Sequence, residues 1–322
     1  MPLDPFLARK AHLMEGFSYY QLDEPEMAAR LEEYERDPEP WTLPDGVTVR
    51  DLELDGPHGA IPVRVYAPST AASVALVWAH GGGFVGGDLD MAESHVVSSE
   101  LAARAGAVVV SVGYRLATDG VRYPVPLDDV HAAWTAVSGL EFWTRTGLFR
   151  PSRLFLGGAS AGAALALATA LRRHDEGAPP PDGLLLAYPF VHFPNPAVDP
   201  ETAADLAPLP APLRIPPLTT EWMVQSYVGS LSGVPRYAFP GAGPFDGLPP
   251  TRIVQSECDD LRPSAELLQR QLTEAGIPVA SFVARGMPHG HLNRTPSLKG
   301  VDDSLDYFAD ALRGAPDSDR LT

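Results

Sequence analysis

From residue 74 onward the chain alternates short, wholly apolar runs with stretches of helical pattern. VALVWAH (74–80) precedes a helix over about 92–105, AVVVSVGY (107–114) one over 127–137, and RLFLGG (153–158) one over 161–175. GLLLAYP (183–189) leads into irregular text, TRIVQSE (251–257) into a helix over 263–275, and VASFVA (279–284) into a last helix over about 298–312. Strands without polar alternation must be covered on both faces, so this pattern predicts a mostly parallel central sheet between helical layers. Only 47–66 alternates with period two, the mark of an antiparallel hairpin at one edge, with Asp55-Gly56 in its connection. The expectation is an α/β fold, and 322 residues suit one large domain of that kind or two average ones.

Two segments stand outside this rhythm. Residues 1–45 are helical around 28–35 and bounded by prolines. Residues 191–247, with FPNPAVDPETAADLAPLPAPLRIPPL at their start, are proline-rich and offer one helix, over about 219–229. So long a tract between two core strands is typically a lid. A single domain is therefore expected, with a cap from about 1–45 and 191–247 on a core of about 46–190 and 248–313.

Gly158-Ala159-Ser160-Ala161-Gly162 lies between a strand and a helix. In that context GxSxG forms a sharp turn that pushes a serine hydroxyl into the cleft, with the helix N–H groups aimed at whatever it attacks. The bland alternative is a helix-capping serine in a glycine-rich turn. His80-Gly81-Gly82-Gly83-Phe84 follows another strand, and three glycines let backbone N–H groups approach a small oxyanion unobstructed. Residues 81–86 also satisfy GxGxxG, but Gly87-Asp88-Leu89-Asp90 follows instead of an amphipathic helix, and those acids would repel a pyrophosphate.

A serine nucleophile needs a base, and the base an acid to fix its tautomer. Of nine histidines only His289 and His291 lie in the loop after the last strand, and Asp259 and Asp260 directly follow TRIVQSEC. Cys258, before them, reads as a buried thiol, and Asp128 and Asp129 as partners for Arg115 or a helix cap. Phe84, His291, Tyr19 and Trp222 are candidates for lining a pocket. No spacing of His, Cys, Asp or Glu suggests a metal, and no cofactor is called for.

With Tyr114-Arg115-Leu116-Ala117, YPVPLDD (123–129), Gly247-Leu248-Pro249-Pro250, SECDDLR and GMPHG, these blocks occur in one order over residues 80–290. The chain resembles the hormone-sensitive-lipase-like esterases of the α/β-hydrolase fold. The resemblance implies Ser160 as nucleophile, His289 as base and Asp259 as acid, two residues after the glutamate of the block. It also implies oxyanion donors at Gly82, Gly83 and Ala161, a cap, and often a homodimer. Three departures stand out: Ala159 replaces the usual Asp or Thr, Thr118-Asp119 replaces Pro-Glu, and His291 occupies a customary aromatic site; Asp260, beside the acid, takes the usual proline position. A carboxylesterase for small, short-acyl esters is expected. An acyltransferase or lactonase using the same acyl-enzyme, or a non-catalytic small-molecule receptor on the same scaffold, is the alternative; receptors characteristically lose a triad member.

Charge narrows the partners. With 24 Lys+Arg against 41 Asp+Glu the net charge is −17, the wrong sign for a phosphate backbone. One cysteine excludes an intrachain disulfide framework. The start carries no signal-peptide core and no window offers the roughly 20 apolar residues of a membrane span, so a cytoplasmic protein without a membrane partner is expected.

Overall fold

A computed structural model describes residues 3–17 and 25–314. The hairpin is β1 (Val47–Leu54) and β2 (Ile61–Pro68), preceded by α1 (Pro5–Lys10) and α2 (Pro25–Glu35). Next come β3 (Val74–Ala79), α3 (Ala92–Ala105), β4 (Val108–Val112), α4 (Val125–Ser138), α5 (Leu140–Thr146), β5 (Arg153–Ala159), α6 (Ala161–Asp175) and β6 (Gly183–Ala187). After these follow α7 (Pro200–Leu206), α8 (Pro217–Val228), β7 (Thr251–Cys258), α9 (Arg262–Glu274), β8 (Val279–Pro288) and α10 (Lys299–Arg313).

The strands form one sheet in the order β1-β2-β4-β3-β5-β6-β7-β8. β1 pairs antiparallel with β2 and β2 with β4, and every later pairing is parallel. Burial explains the two kinds of strand text. Every residue of β3, β4 and β6 is buried, whereas only the first and last residues of β1 are. Alternate side chains feed two cores. Ala75, Val77, Val110 and Leu156 face α4, α6 and α9, while Leu76, Trp78, Val109 and Phe155 face α3 and α10. Each fully buried Val or Leu contributes about 1.5–3 kcal/mol of transfer free energy, so both faces hold the sheet.

The order β4-β3-β5 creates a switch point: the chain leaves β3 for β4 on one side and returns to β5 on the other. Loops from adjacent parallel strands part there, leaving a crevice at the carboxyl ends. His80 follows β3 and Ser160 follows β5, so both sequence motifs open on that crevice. Asp259 follows β7, and His289 follows β8.

The outlying segments pack onto this frame at separate places. Asp4 N–H donates to Gly286 O on β8 at 2.9 Å, and the buried Arg294–Asp37 pair at 2.7 Å ties the amino-terminal segment to the loop after β8. From 191–247, Val224 and Tyr227 of α8 enter the α6-side core. Helices α5 and α7 were not anticipated. The start of α7 is marked in the text after all, since Asp199 accepts from Glu201 and Thr202 N–H and Pro200 follows at the first helical position. Among the described residues no helix is long and apolar enough to cross a membrane.

Candidate active site

Ser160 stands between β5 and α6 with φ 52° and ψ −114°, a conformation that costs a non-glycine residue energy and exposes its side chain. The glycines around it make the turn possible. A Cβ on Gly158 would lie 2.6 Å from Ala79 O, and one on Gly162 would collide with the carbonyls of Ala79 and His80. The serine does not cap its helix. Instead its Oγ lies 2.8 Å from His289 Nε2.

His289 Nδ1 lies 2.7 Å from Asp259 Oδ2. A carboxylate only accepts, so Nδ1 carries the proton and Nε2 is left to accept from the serine hydroxyl. The Asp259 carboxyl is fully buried and its other oxygen accepts Leu261 N–H at 2.7 Å, which fixes its orientation. Asp260 turns away, to Arg214. Burial pulls the His289 imidazolium down, but the Asp259 carboxylate, with Glu93 and Asp260 behind it, outweighs that and leaves the group above the ordinary histidine range.

The glycine loop lies alongside. Gly82 and Gly83 have φ +99° and +61°, and a Cβ on Gly82 would run into Gly86 O. Among the described residues no acceptor takes the N–H groups of Gly82, Gly83 or Ala161. The loop is braced from below: Tyr114 OH donates to His80 O at 2.8 Å, and Ala117 N–H donates to Phe84 O at 2.7 Å. Arg115 pairs with the buried Asp129, one of the two partners expected for it, whereas Asp128 pairs with Arg172 instead.

A cavity of about 610 Å³ opens over Ser160 and His289. Met14, Leu31, Tyr34, Pro212, Leu213, Ile215, Met223 and Leu261 form apolar parts of its wall, so both outlying segments reach it. Phe84, expected at the pocket, is fully buried and stacks on Tyr227 with ring centroids 4.0 Å apart; it fastens the glycine loop to α8. Trp222 is 44% exposed and faces out. Its neighbour Met223, about 100° round the helix, faces Gly83 and takes the place expected of it. His291 reaches the cavity edge, but both ring nitrogens are engaged, with Ser256 Oγ at 2.9 Å and Ser304 Oγ at 3.0 Å. Burial holds it neutral, pushed down to about 3, so it has neither charge nor a free polar atom for substrate. Tyr19 lies outside the described residues. Cys258 is buried and its thiol is pushed up to about 12 by that burial, unsuited to attack.

One residue with no sequence signal beyond its helix-start position belongs to this site. The Glu93 carboxylate, fully buried, accepts Gly81 N–H and Tyr188 O–H, and its own N–H donates to Asn293 Oδ1 at 3.3 Å. The Tyr188 ring in turn meets the His289 ring edge to face at 5.0 Å. Glu93 therefore supports the base of the glycine loop and adds a negative charge on the histidine side. Burial pushes the Glu93 carboxyl above the usual carboxylate range, partly opposed by the Tyr188 and Gly81 hydrogen bonds.

These charges set the sign of the pH response. A base works only when neutral, and His289 is protonated to a higher pH than an ordinary histidine. Activity is expected to rise through an acid limb above the usual histidine range. Glu93→Gln, which keeps an acceptor for Gly81, should move that limb downward. A kcat/KM profile against pH checks both, and an unmoved limb in the variant would contradict the electrostatic role.

Among the described residues no group of three or more His, Cys, Asp or Glu could hold a metal ion. A family model described as the alpha/beta hydrolase fold matches residues 76–293. An esterase of Mycobacterium tuberculosis, LipI, is 33% identical over 274 residues, covering 82% of this chain and 81% of that protein. An ethyl acetate hydrolase of Pseudomonas putida is 30% identical over 276 residues, with 82% of each covered. The solved esterase of Pyrobaculum calidifontis superposes with a TM-score of 0.78 at 27% identity, covering 97% of this chain and 99% of that one. The extent of these matches decides the matter: the chain belongs to the alpha/beta hydrolase fold family and is a carboxylic-ester hydrolase of its hormone-sensitive-lipase-like branch.

Proposed function

We propose that Ser160, His289 and Asp259 are the catalytic residues and that the substrates are small, largely apolar esters with short acyl groups. His289 Nε2 takes the Ser160 proton as Oγ bonds to the ester carbonyl carbon. The N–H groups of Gly82, Gly83 and Ala161 hold the resulting oxyanion. Collapse expels the alcohol, which receives the proton from Nε2, and leaves an acyl-serine. Water, deprotonated by the same histidine, then releases the acid and restores Oγ–H. Asp259 keeps the imidazole in the working tautomer and stabilises its charged form.

The observation that carries this reading is the continuous line Oγ–Nε2–Nδ1–Oδ2, at 2.8 and 2.7 Å, beside three free N–H groups. The substrate class is supported by the largely apolar wall of a cavity of about 610 Å³ and by the likeness to an ethyl acetate hydrolase. Residues 1–45 and 191–247 are assigned as the cap because both line that cavity. A homodimer and a cytoplasmic setting belong to the same proposal, the first by family resemblance and the second because a single cysteine forms no intrachain disulfide.

The test is p-nitrophenyl butyrate turnover combined with fluorophosphonate labelling. One adduct per chain is expected, on the peptide carrying Ser160, with turnover lost in step with labelling. An adduct on another residue, or turnover that survives complete labelling, would refute the assignment.

A further inference from the structure

Asp260, next to the acid that meets His289, carries an arrangement the reaction does not use. Its carboxylate accepts from Arg214 at both oxygens, Nη2 to Oδ1 at 2.7 Å and Nε to Oδ2 at 2.8 Å. Ile215 N–H donates to Oδ2 at 2.8 Å, and Asn195 Nδ2 donates to the Asp260 carbonyl at 3.0 Å. The same guanidinium reaches the last carbonyl of α7, Leu206 O, at 2.7 Å. Arg214 thus joins the end of α7 to the strand end that supplies Asp259.

The pair is well shielded, with side chains only 26% and 13% exposed. Fork-to-carboxylate geometry fixes direction as well as distance, which a lysine cannot reproduce. What Arg214 fixes is visible in its neighbours: Pro212, Leu213 and Ile215 all line the cavity over Ser160. That wall has little regular structure of its own, since only a short 3-10 turn, Ala211–Leu213, precedes Arg214. Its position depends on side-chain anchors, and Asp260 is the one with the most hydrogen bonds.

We propose that Asp260 is a specificity-determining positioning residue: through Arg214 it fixes the Pro212–Ile215 wall against the cavity and so sets how bulky esters are held. The inference rests on Ser160 turning over esters in this cavity, but its readout is the distribution of KM among esters, not turnover as such. Losing the anchor frees the wall, and substrates long enough to pack on it lose contacts. An acetyl group does not reach it.

The experiment compares p-nitrophenyl acetate and hexanoate in the full chain, for Asp260→Asn, Arg214→Met, the double variant and Arg214→Lys. In either single variant KM for the hexanoate should rise about tenfold, the scale of a few lost apolar contacts. Its kcat, and KM for the acetate, should change less than about threefold when measured above the acid limb, where His289 is neutral with or without the Asp260 charge. The double variant should be no worse than either single one, because both remove one interaction. Arg214→Lys should fall between, keeping a charge contact but losing the reach to Leu206 O. Equal KM changes for both esters, no change, or summed effects in the double variant would overturn the proposal. Fluorophosphonate labelling of each variant reports whether its serine site is assembled, so a folding defect or a failed catalytic assignment is read separately.

Discussion

Ser160→Ala is expected to lower kcat by about 10⁶, the scale on which removing a nucleophile from a cooperating triad acts. No other group stands in for the hydroxyl. Cys258 is buried with its thiol pushed up to about 12, and His289 would be left with its Nε2 facing a methyl group. Residual turnover should come from the oxyanion donors and the cavity alone, and should be insensitive to fluorophosphonate. The variant should still bind: Ser160 is already a helix-start residue without a capping bond, so its hydroxyl contributes little to the fold. Initial rates on p-nitrophenyl butyrate, with a competitive product inhibitor to report binding, measure this. A loss below about tenfold would remove Ser160 from the mechanism.

Asp259→Asn is expected to cost about 10⁴ in kcat while leaving the backbone in place. The reason is the tautomer. An asparagine amide can donate to Nδ1, which would move the imidazole proton to Nε2 and turn the base away from the serine. Leu261 N–H would keep its acceptor, so the local fold should survive. The comparison that matters is with Asp260→Asn, one residue along. That carboxylate binds Arg214 and Ile215 rather than His289, so its loss should redistribute KM and spare kcat. Equal kcat losses in the two variants would mean that the acid's role is shared between the neighbours. The same pair of kinetic series therefore separates acid from anchor at adjacent positions.

The proposed catalytic residues were legible in the sequence because each of them immediately follows a strand. A strand announces its end by a change of texture, so Ser160 after β5, Asp259 after β7 and His289 after β8 could be placed without coordinates. Distance in space could not be read the same way. Nothing in the text separates Asp259 from Asp260 except family habit, because two adjacent carboxylates after a strand differ only in where each side chain turns. The proposed cap was less legible for a related reason. Trp222 and Met223 are both apolar and adjacent, and which of them faces in is decided by Gly83, which lacks a side chain to fill the space above it. Phe84 resembled a pocket residue but had a partner in Tyr227, 143 positions on. Glu93 was invisible for the opposite reason: an acid in a first helical turn is ordinary, and only burial against Gly81 and Tyr188 makes it unusual.

The placement of these residues at separate strand ends also has a kinetic side. Ser160 and His289 are 129 positions apart, and Ser160 cannot meet His289 until β6, β7 and β8 have been added to the sheet. Long loops must close before that contact rewards the chain, which makes it a late event in folding. During synthesis Ser160 emerges well before His289, so on the proposed mechanism a nascent or half-folded chain is expected to carry a serine no more reactive than any other. Recovered esterase activity should accordingly be a stricter measure of refolding than recovered helix content, and a truncated chain ending before β8, without His289, is expected to be inactive.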